Sequence, residues 1–418
     1  MKQNSCIIHV MGGFNNPIVK SQVLNWISLL EDSGVSSDIV SCVPVPGWII
    51  GRKAENKSIR EFKMNYKGKI YLLPVFRLSD KYNLISQWIK VFMLSAIIRK
   101  KLKDSKDVNI VLQTRSRFNY GAFRVLKKKF PFIKIVFDLR GAGAVEYLDS
   151  KGYHKSNELK DPAIYKEYFD LIDKESKMIR LSDIAFCVSD NMKSYLEKGD
   201  YSLNTENVVV VPGAADEEVF HFDKNIRAAK RAELGITEKT TFIYSGGLKN
   251  FYQKKDLVFE FAARLLKEDS KTVFICLTKD LGMVPELARK YQIDPDRMIV
   301  KFIKDPREVN AFLNAADLGL IFRDNMATNL VSSPTKAAEY LLAGIPLMIS
   351  QNVGDYSAFI EKHKMGVVVD NILDHMMEAY RTHFNTLIPR DEISRISNAV
   401  YSKQANLQKI LTSYEEKL

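Results

Sequence analysis

The run Ser332-Ser333-Pro334-Thr335-Lys336-Ala337-Ala338-Glu339-Tyr340-Leu341-Leu342-Ala343-Gly344-Ile345-Pro346 holds the residues with the clearest chemical potential. Ser333 suits an N-cap, Pro334 the first helical position and Gly344 the C′ position, and Pro346 prevents continuation. The spacing therefore predicts a short, sharply bounded helix. Lys336 then falls at the third helical position, where a capping box would place Glu or Gln and where a cation opposes the helix dipole by ~0.3–1 kcal/mol. Two explanations are open. Lys336 could pair at the surface with Glu339 at i,i+3, although Lys before Glu is the less favourable order. Alternatively, the amides of Thr335 and Lys336 and the Lys336 ammonium face a bound anion such as a diphosphate. The second explanation accounts better for the broken rule, because such violations gather at functional sites.

Two further places could receive an anion. Residues 7–11 run directly into Gly12-Gly13-Phe14-Asn15, and residues 241–245 into Gly246-Gly247-Leu248-Lys249. Glycine lets backbone amides approach a bound group closely, although either pair would serve equally as a plain tight turn. Neither has the G-x-G-x-x-G spacing of a dinucleotide site, which disfavours a dehydrogenase.

These residues must be held by a larger framework. At 418 residues and with 46% apolar composition, two domains with large cores are expected. Short β-rich runs alternate with helical patterns throughout, the signature of parallel βαβ construction. Strands are expected at 6–10, 70–73, 109–112, 134–137, 184–188 and 208–211, and a second series at 241–244, 272–277, 298–302, 318–322, 347–350 and 367–369. Helices are expected from near Pro17, carrying Val19, Val23, Trp26, Ile27 and Leu30, and over 256–267. The boundary lies between 212 and 239, where the polar segment 216–230 reads as a linker and leading helix. This divides the chain into residues 1–222, 223–395 and a C-terminal helix 396–418 packing back on the first domain. Cys6, Cys42, Cys187 and Cys276 are far apart in apolar runs and read as reduced core residues of a cytoplasmic protein. No signal-peptide pattern opens the sequence, and the longest lipid-compatible stretch, 91–98, is far below the ~20 residues of a spanning helix.

The run S-P-T-K-x-x-E-Y-L-x-x-G-I-P, preceded by residues 317–323, resembles the donor-binding region of retaining glycosyltransferases of the GT-B fold, family 4 (group 1) type. So do residues 244–248; in the first domain, Asp138-Leu139-Arg140-Gly141 after a strand, then Ser182-Asp183 to Ser189-Asp190, and Val211-Pro212-Gly213 followed by Asp216 and Phe220 are similar to the family's usual order. The resemblance spans nearly the whole chain and is strongest over 241–370. It implies an α/β fold with two Rossmann-like doubly wound domains facing across a cleft. It also implies transfer of a sugar from a nucleotide diphosphate donor to an acceptor hydroxyl, with retention and without a metal or other cofactor. Glu339 matches the second Glu of the family's E-x7-E motif, expected on the ribose hydroxyls; the first, expected on the sugar, is replaced by Val331. Arg323 and Lys336 are the expected diphosphate ligands, supported by Gly246, Gly247, Lys249 or Lys254, Ser333 and Thr335. Ile303 matches the position where backbone reads the base. On the acceptor side, the family's His that usually contacts the sugar has no match; Asp138, Arg140 and Glu146 occupy the corresponding region as the expected catalytic residues, and Gly12, Gly13 and Arg115 form the neighbouring loops. Asp138 and Arg140 could equally pair with each other at a strand end.

The net charge is +12, and it is concentrated. Residues 51–140 hold 23 Lys and Arg against 6 Asp and Glu, a local surplus of 17 that leaves the remainder at −5. This points to an anionic partner, either a membrane surface or a lipid diphosphate acceptor; no nucleic-acid motif accompanies the charge. Residues 84–103 read as a helix with Leu84, Ile85, Trp88, Ile89, Phe92 and Ala96 on one face, a wide apolar side continued by Val91, Met93, Ile97 and Ile98 and closed by the basic end 99–103. An ordinary core helix is the favoured expectation over a membrane-surface one. The leading function is thus a cytoplasmic glycosyltransferase, peripheral on the inner face of a membrane, acting on a glycan or lipid-linked acceptor in surface polysaccharide assembly. An inactive GT-B scaffold and a nucleotide-sugar epimerase are the alternatives.

Overall fold

The computed structural model describes residues 5–14, 19–45, 52–76, 80–105 and 107–418. A seven-stranded parallel sheet comprises β1 (Ser5–Gly12), β2 (Ser36–Pro44), β3 (Ile70–Val75), β4 (Asn109–Thr114), β5 (Lys134–Asp138), β6 (Ile184–Cys187) and β7 (Val208–Val210), in the order β3-β2-β1-β4-β5-β6-β7. A six-stranded parallel sheet comprises β8 (Thr240–Ser245), β9 (Thr272–Leu277), β10 (Met298–Lys301), β11 (Leu318–Ile321), β12 (Leu347–Ser350) and β13 (Gly366–Val369), in the order β10-β9-β8-β11-β12-β13. Helices flank both sheets. This is the GT-B architecture, two Rossmann-like domains facing across a cleft. The strand order reverses between β1 and β4 and between β8 and β11, so each sheet has a crevice at the carboxyl ends of its central strands.

Central strands such as β9, Thr-Val-Phe-Ile-Cys-Leu, are buried along their whole length, as sheets covered on both faces require. All twelve expected strands are present, and β2 is a thirteenth that sequence reasoning missed. Its pattern is obscured by buried Ser37, Asp38 and Ser41. Asp38 is neutralised by Lys101 at 2.8 Å, and the Ser41 hydroxyl donates to Gly12 O at 3.3 Å. Burial of these polar groups is tolerable because they are paired. Pro17 and Asn15 lie outside the described residues; beyond them a π-helical turn (Val19–Leu24) leads into a helix (Asn25–Asp32) that buries Ile27 and Leu30.

The segment after β7 crosses to the second sheet through a helix at Lys224–Glu233. The chain later returns through helices Arg390–Tyr401 and Lys403–Lys417. Ala215 and Ser402 form a parallel bridge where the outward and returning strands of chain meet, with Ala215 N donating to Tyr401 O and Lys403 N to Ala215 O. Leu407, Ile410 and Tyr414 then join Ile7, Val111, Val136 and Ile184 in one apolar cluster under the first sheet.

The helix Asp80–Asp104 covers the sheet as expected of a core helix, but with only one of its apolar sides. It buries Val91, Leu94, Ile97 and Ile98 against the sheet, while Leu84, Ile85, Trp88 and Phe92 face outward. Its inner face includes polar groups with partners: Lys90 Nζ donates to Asn119 Oδ1 at 2.7 Å, and Ser86 Oγ to Phe76 O at 2.8 Å. Apolar residues lie on both sides of this helix, so periodicity alone did not fix which side covers the sheet.

Candidate active site between the two sheets

The helix expected around Lys336 spans Thr335–Leu342, and Gly344 takes the left-handed conformation at its end (φ 68°). Ser333 is not its N-cap. Pro334 occupies that position, no side chain caps the first turn, and Lys336 is the second helical residue. Ser333 Oγ instead accepts from Gly213 N at 2.8 Å, joining the two domains. Glycine is required at 213, because a Cβ there would lie 2.5 Å from Ser333 O.

Beside this helix start, a cleft of about 470 Å³ is lined from the second domain by Gly246, Gly247, residues 250–253, Arg323, Thr328, Val331 and residues 332–336. Arg140, Gly141 and Glu146 line it from the first domain. Arg323, just beyond β11, does not pair with Asp324, which is held by Lys254 at 2.6 Å. Its guanidinium lies 5.1 Å over the Tyr252 ring and donates to Asn329 Oδ1 at 3.2 Å, while Nε is buried without a hydrogen-bond partner. Desolvation lowers the Arg323 pKa from its ordinary value. A buried guanidinium with an unmet donor is a ready anion ligand.

Lys336 Nζ pairs with Glu339 Oε2 at 2.7 Å, the surface-pair alternative weighed from the sequence. Lys336 remains 43% exposed and Glu339 15%. Burial raises the Glu339 pKa, opposed by the Lys336 charge. Both glycine turns already host a carboxylate of the chain itself. Leu248 N donates to Asp280 Oδ2 at 2.8 Å, and Phe14 N donates to Glu55 Oε1. Lys249 is turned toward Asp280, 3.9 Å away, and does not line the cleft. Ile303 also lies outside it, packed against the second domain's core.

The acceptor-side residues divide between two cavities. Asp138 and Arg115 line a much smaller cavity of about 40 Å³ with His9, Trp26 and Tyr414, whereas Glu146 lines the cleft and Arg140 borders both. Arg140 Nε lies 2.7 Å from Asp138 Oδ1, an ion pair whose alignment falls short of a hydrogen bond, and Arg115 Nε lies 3.5 Å from Oδ2. Burial holds the neighbouring His9 pKa down at about 3, so its imidazole is neutral at physiological pH. Glu146 is exposed at its edge, but its carboxyl crowds Gly141; desolvation, then the nearby Glu175 charge, raises its pKa. Glu175 is itself buried, accepting from Arg117 Nη1 at 2.7 Å and Gly143 N at 3.1 Å.

Sequence reasoning missed Tyr252, Gln253, Thr328 and Asn329. The aromatic-rich run 250–253 following the Gly246-Gly247 turn was the available signal for the first two. Val331, where the resemblance places a sugar-binding Glu, is 2% exposed and belongs to the first domain's core cluster. Among the described residues no group of three or more His, Cys, Asp or Glu is arranged to hold a metal ion.

No family model matches the sequence, and no curated protein does. Solved structures do match along the whole chain. A glycosyltransferase from Rickettsia africae has a TM-score of 0.65 at 14% identity, covering 99% of this chain and 98% of its own. Sucrose-phosphate synthase from Thermosynechococcus elongatus has 0.64 at 12%, covering 98% of both. The Anabaena protein HepE in complex with UDP has 0.64 at 9%, covering 98% and 99%. At such identities the likeness establishes the GT-B fold, which this chain shares with several nucleotide-sugar enzymes.

Proposed function

We propose that this protein is a metal-independent retaining glycosyltransferase that moves a sugar from a nucleotide diphosphate donor to an acceptor hydroxyl. The observation that carries the reading is Arg323, a buried cation with an unmet donor, facing the uncapped start of helix Thr335–Leu342 across one cleft. Negative charge grows on the diphosphate as the glycosidic bond breaks, and preorganised donors aimed at that charge lower the barrier most in a desolvated site. Arg323, Lys336 and the first helical amides supply them. Glu339 accepts from the ribose diol once Lys336 turns to the phosphates, and its two oxygens suit a vicinal pair of hydroxyls. Glu146, with its raised pKa and its place on the opposite wall, is the group best suited to carry a proton at the acceptor. Asp138 and Arg115 position Arg140 from the smaller cavity. The acceptor is a glycan, most simply a lipid-linked one in cytoplasmic surface-polysaccharide assembly.

A thermal-shift screen against UDP-, GDP- and ADP-sugars tests the reading. A donor present at a hundred times its Kd should stabilise by ~2.7 kcal/mol. Donor consumption that needs an added glycan supports transfer; consumption without acceptor indicates epimerisation, and no binding at all refutes the site. Val331 in place of the sugar-binding Glu favours a second reading, a non-catalytic scaffold, which would leave every nucleotide sugar unbound.

A further inference from the structure

The outward face of helix Asp80–Asp104 is an exposed apolar feature that the cleft does not use. Leu84 is 66% exposed, Ile85 47%, Trp88 71% and Phe92 80%. At 100° per residue these positions, with exposed Ala96, Arg99, Lys100 and Lys103, fall within about 160° of the helix circumference. Apolar residues fill the first half of this stripe and cations its last turns. Phe118, 49% exposed, borders it, since Gln87 Nε2 donates to Phe118 O at 2.6 Å. The adjacent helix Tyr120–Lys129 adds exposed Arg124, Lys128 and Lys129.

An isolated apolar residue at a surface is ordinary, but a contiguous aromatic and aliphatic stripe marks an interaction site. Charge selects the occupant. The surrounding segment 51–140 carries the surplus of 17 positive charges, so a second copy of this face would be repelled. A bilayer with anionic headgroups satisfies both features: apolar side chains reach the acyl boundary while Arg and Lys remain among the headgroups. We propose that this face docks the protein on an anionic lipid bilayer. No helix among the described residues is long and apolar enough to cross one, so the contact is interfacial.

The docking face is coupled to the cleft. Phe118 lies in the 3-10 turn Arg117–Asn119 that follows β4 at the carboxyl edge of the sheet, and its neighbour Arg117 holds Glu175, which holds Gly143 N at the start of the helix bearing Glu146. Resting on the glycosyltransferase reading, this places the acceptor-side wall next to the membrane, as an acceptor anchored in the same bilayer requires.

The test is co-sedimentation of the full chain with vesicles of phosphatidylcholine, alone or mixed with phosphatidylglycerol. Binding is expected to the mixed vesicles only and to weaken as salt is raised. Trp88→Ser/Phe92→Ser and Arg99→Gln/Lys100→Gln/Lys103→Gln should each weaken it roughly ten-fold or more. Because the substituted side chains are exposed, Tm should stay at the wild-type value. A blue shift of tryptophan emission on binding should be lost in Trp88→Phe. Equal binding to both vesicle types, or binding unchanged in the Trp88/Phe92 variant, overturns the proposal. So does a concentration-dependent dimer that the same variant abolishes, since a second copy would then cover the face. No nucleotide or acceptor enters this assay, so its failure leaves the donor site standing, and failure of the donor screen leaves the docking face standing.

Discussion

Glu339→Gln separates binding from folding at the proposed donor site. The wild-type carboxylate is desolvated and accepts a hydrogen bond from Lys336 at 2.7 Å, its one such partner among the described residues. If it accepts two ribose hydroxyls, it forms hydrogen bonds to a charged group of ~1.5–3 kcal/mol each, and an amide can replace only one of them, at about half strength. The loss is then ~2–4 kcal/mol, roughly thirty- to several-hundred-fold in Kd. Stability should move the other way. The raised pKa means that folding favours the protonated acid; this contribution is complete below the ordinary value of 4.5 and is lost as pH rises through the folded-state pKa. Gln never ionises, so its Tm should equal or exceed that of wild type at neutral pH, and the difference should vanish in acid. The assay is calorimetric titration with whichever of UDP, GDP or ADP shifts Tm most, beside thermal unfolding of both proteins. An affinity within about threefold of wild type, or a Tm that falls in step with affinity, would refute the assignment.

Arg323→Met keeps the buried volume but removes the cation, so donor turnover should fall ten-fold or more with little change in Tm, measured as product formed at saturating acceptor. His9, with a folded-state pKa of about 3 against 6.5 unfolded, should cost stability as pH falls below 6.5, about 2 kcal/mol at pH 5; His9→Leu should flatten that limb in urea titrations. Asp355→Ala removes the carboxylate that accepts from Asp190 N at 2.6 Å and Asn191 N at 3.1 Å across the domains. It should cost about 1–2 kcal/mol in denaturant unfolding, and asparagine should restore part of this.

Both strand series were legible because twelve strands carry apolar runs bounded by polar turns. β2 was not, because Asp38 and its serines are made tolerable by partners far away in sequence, such as Lys101. The same limit applied at the site. Lys336 and Glu339 are neighbours on one helix turn, so their pairing could be weighed in advance. The Ser333 contact to Gly213 is a long-range one, and local capping rules assigned that hydroxyl to the wrong partner. The cleft's position follows from the strand orders, yet the division of Asp138 and Glu146 between two cavities depends on packing that no spacing encodes. For helix Asp80–Asp104 the core packing was legible but not the side that makes it, because its outward residues are as apolar as its inward ones.

The return of the last helix to the first sheet bears on how the protein is made. Leu407, Ile410 and Tyr414 complete the cluster around Ile7, Val111 and Val136, which helix Asn25–Asp32 covers only in part through Leu30, so during synthesis the remainder of that face stays uncovered until the whole second sheet has been translated. The earliest part of the chain is thus among the last to be sealed. A nascent first domain exposes apolar surface for that interval, when aggregation competes with folding, and the docking of helix Lys403–Lys417 ends it.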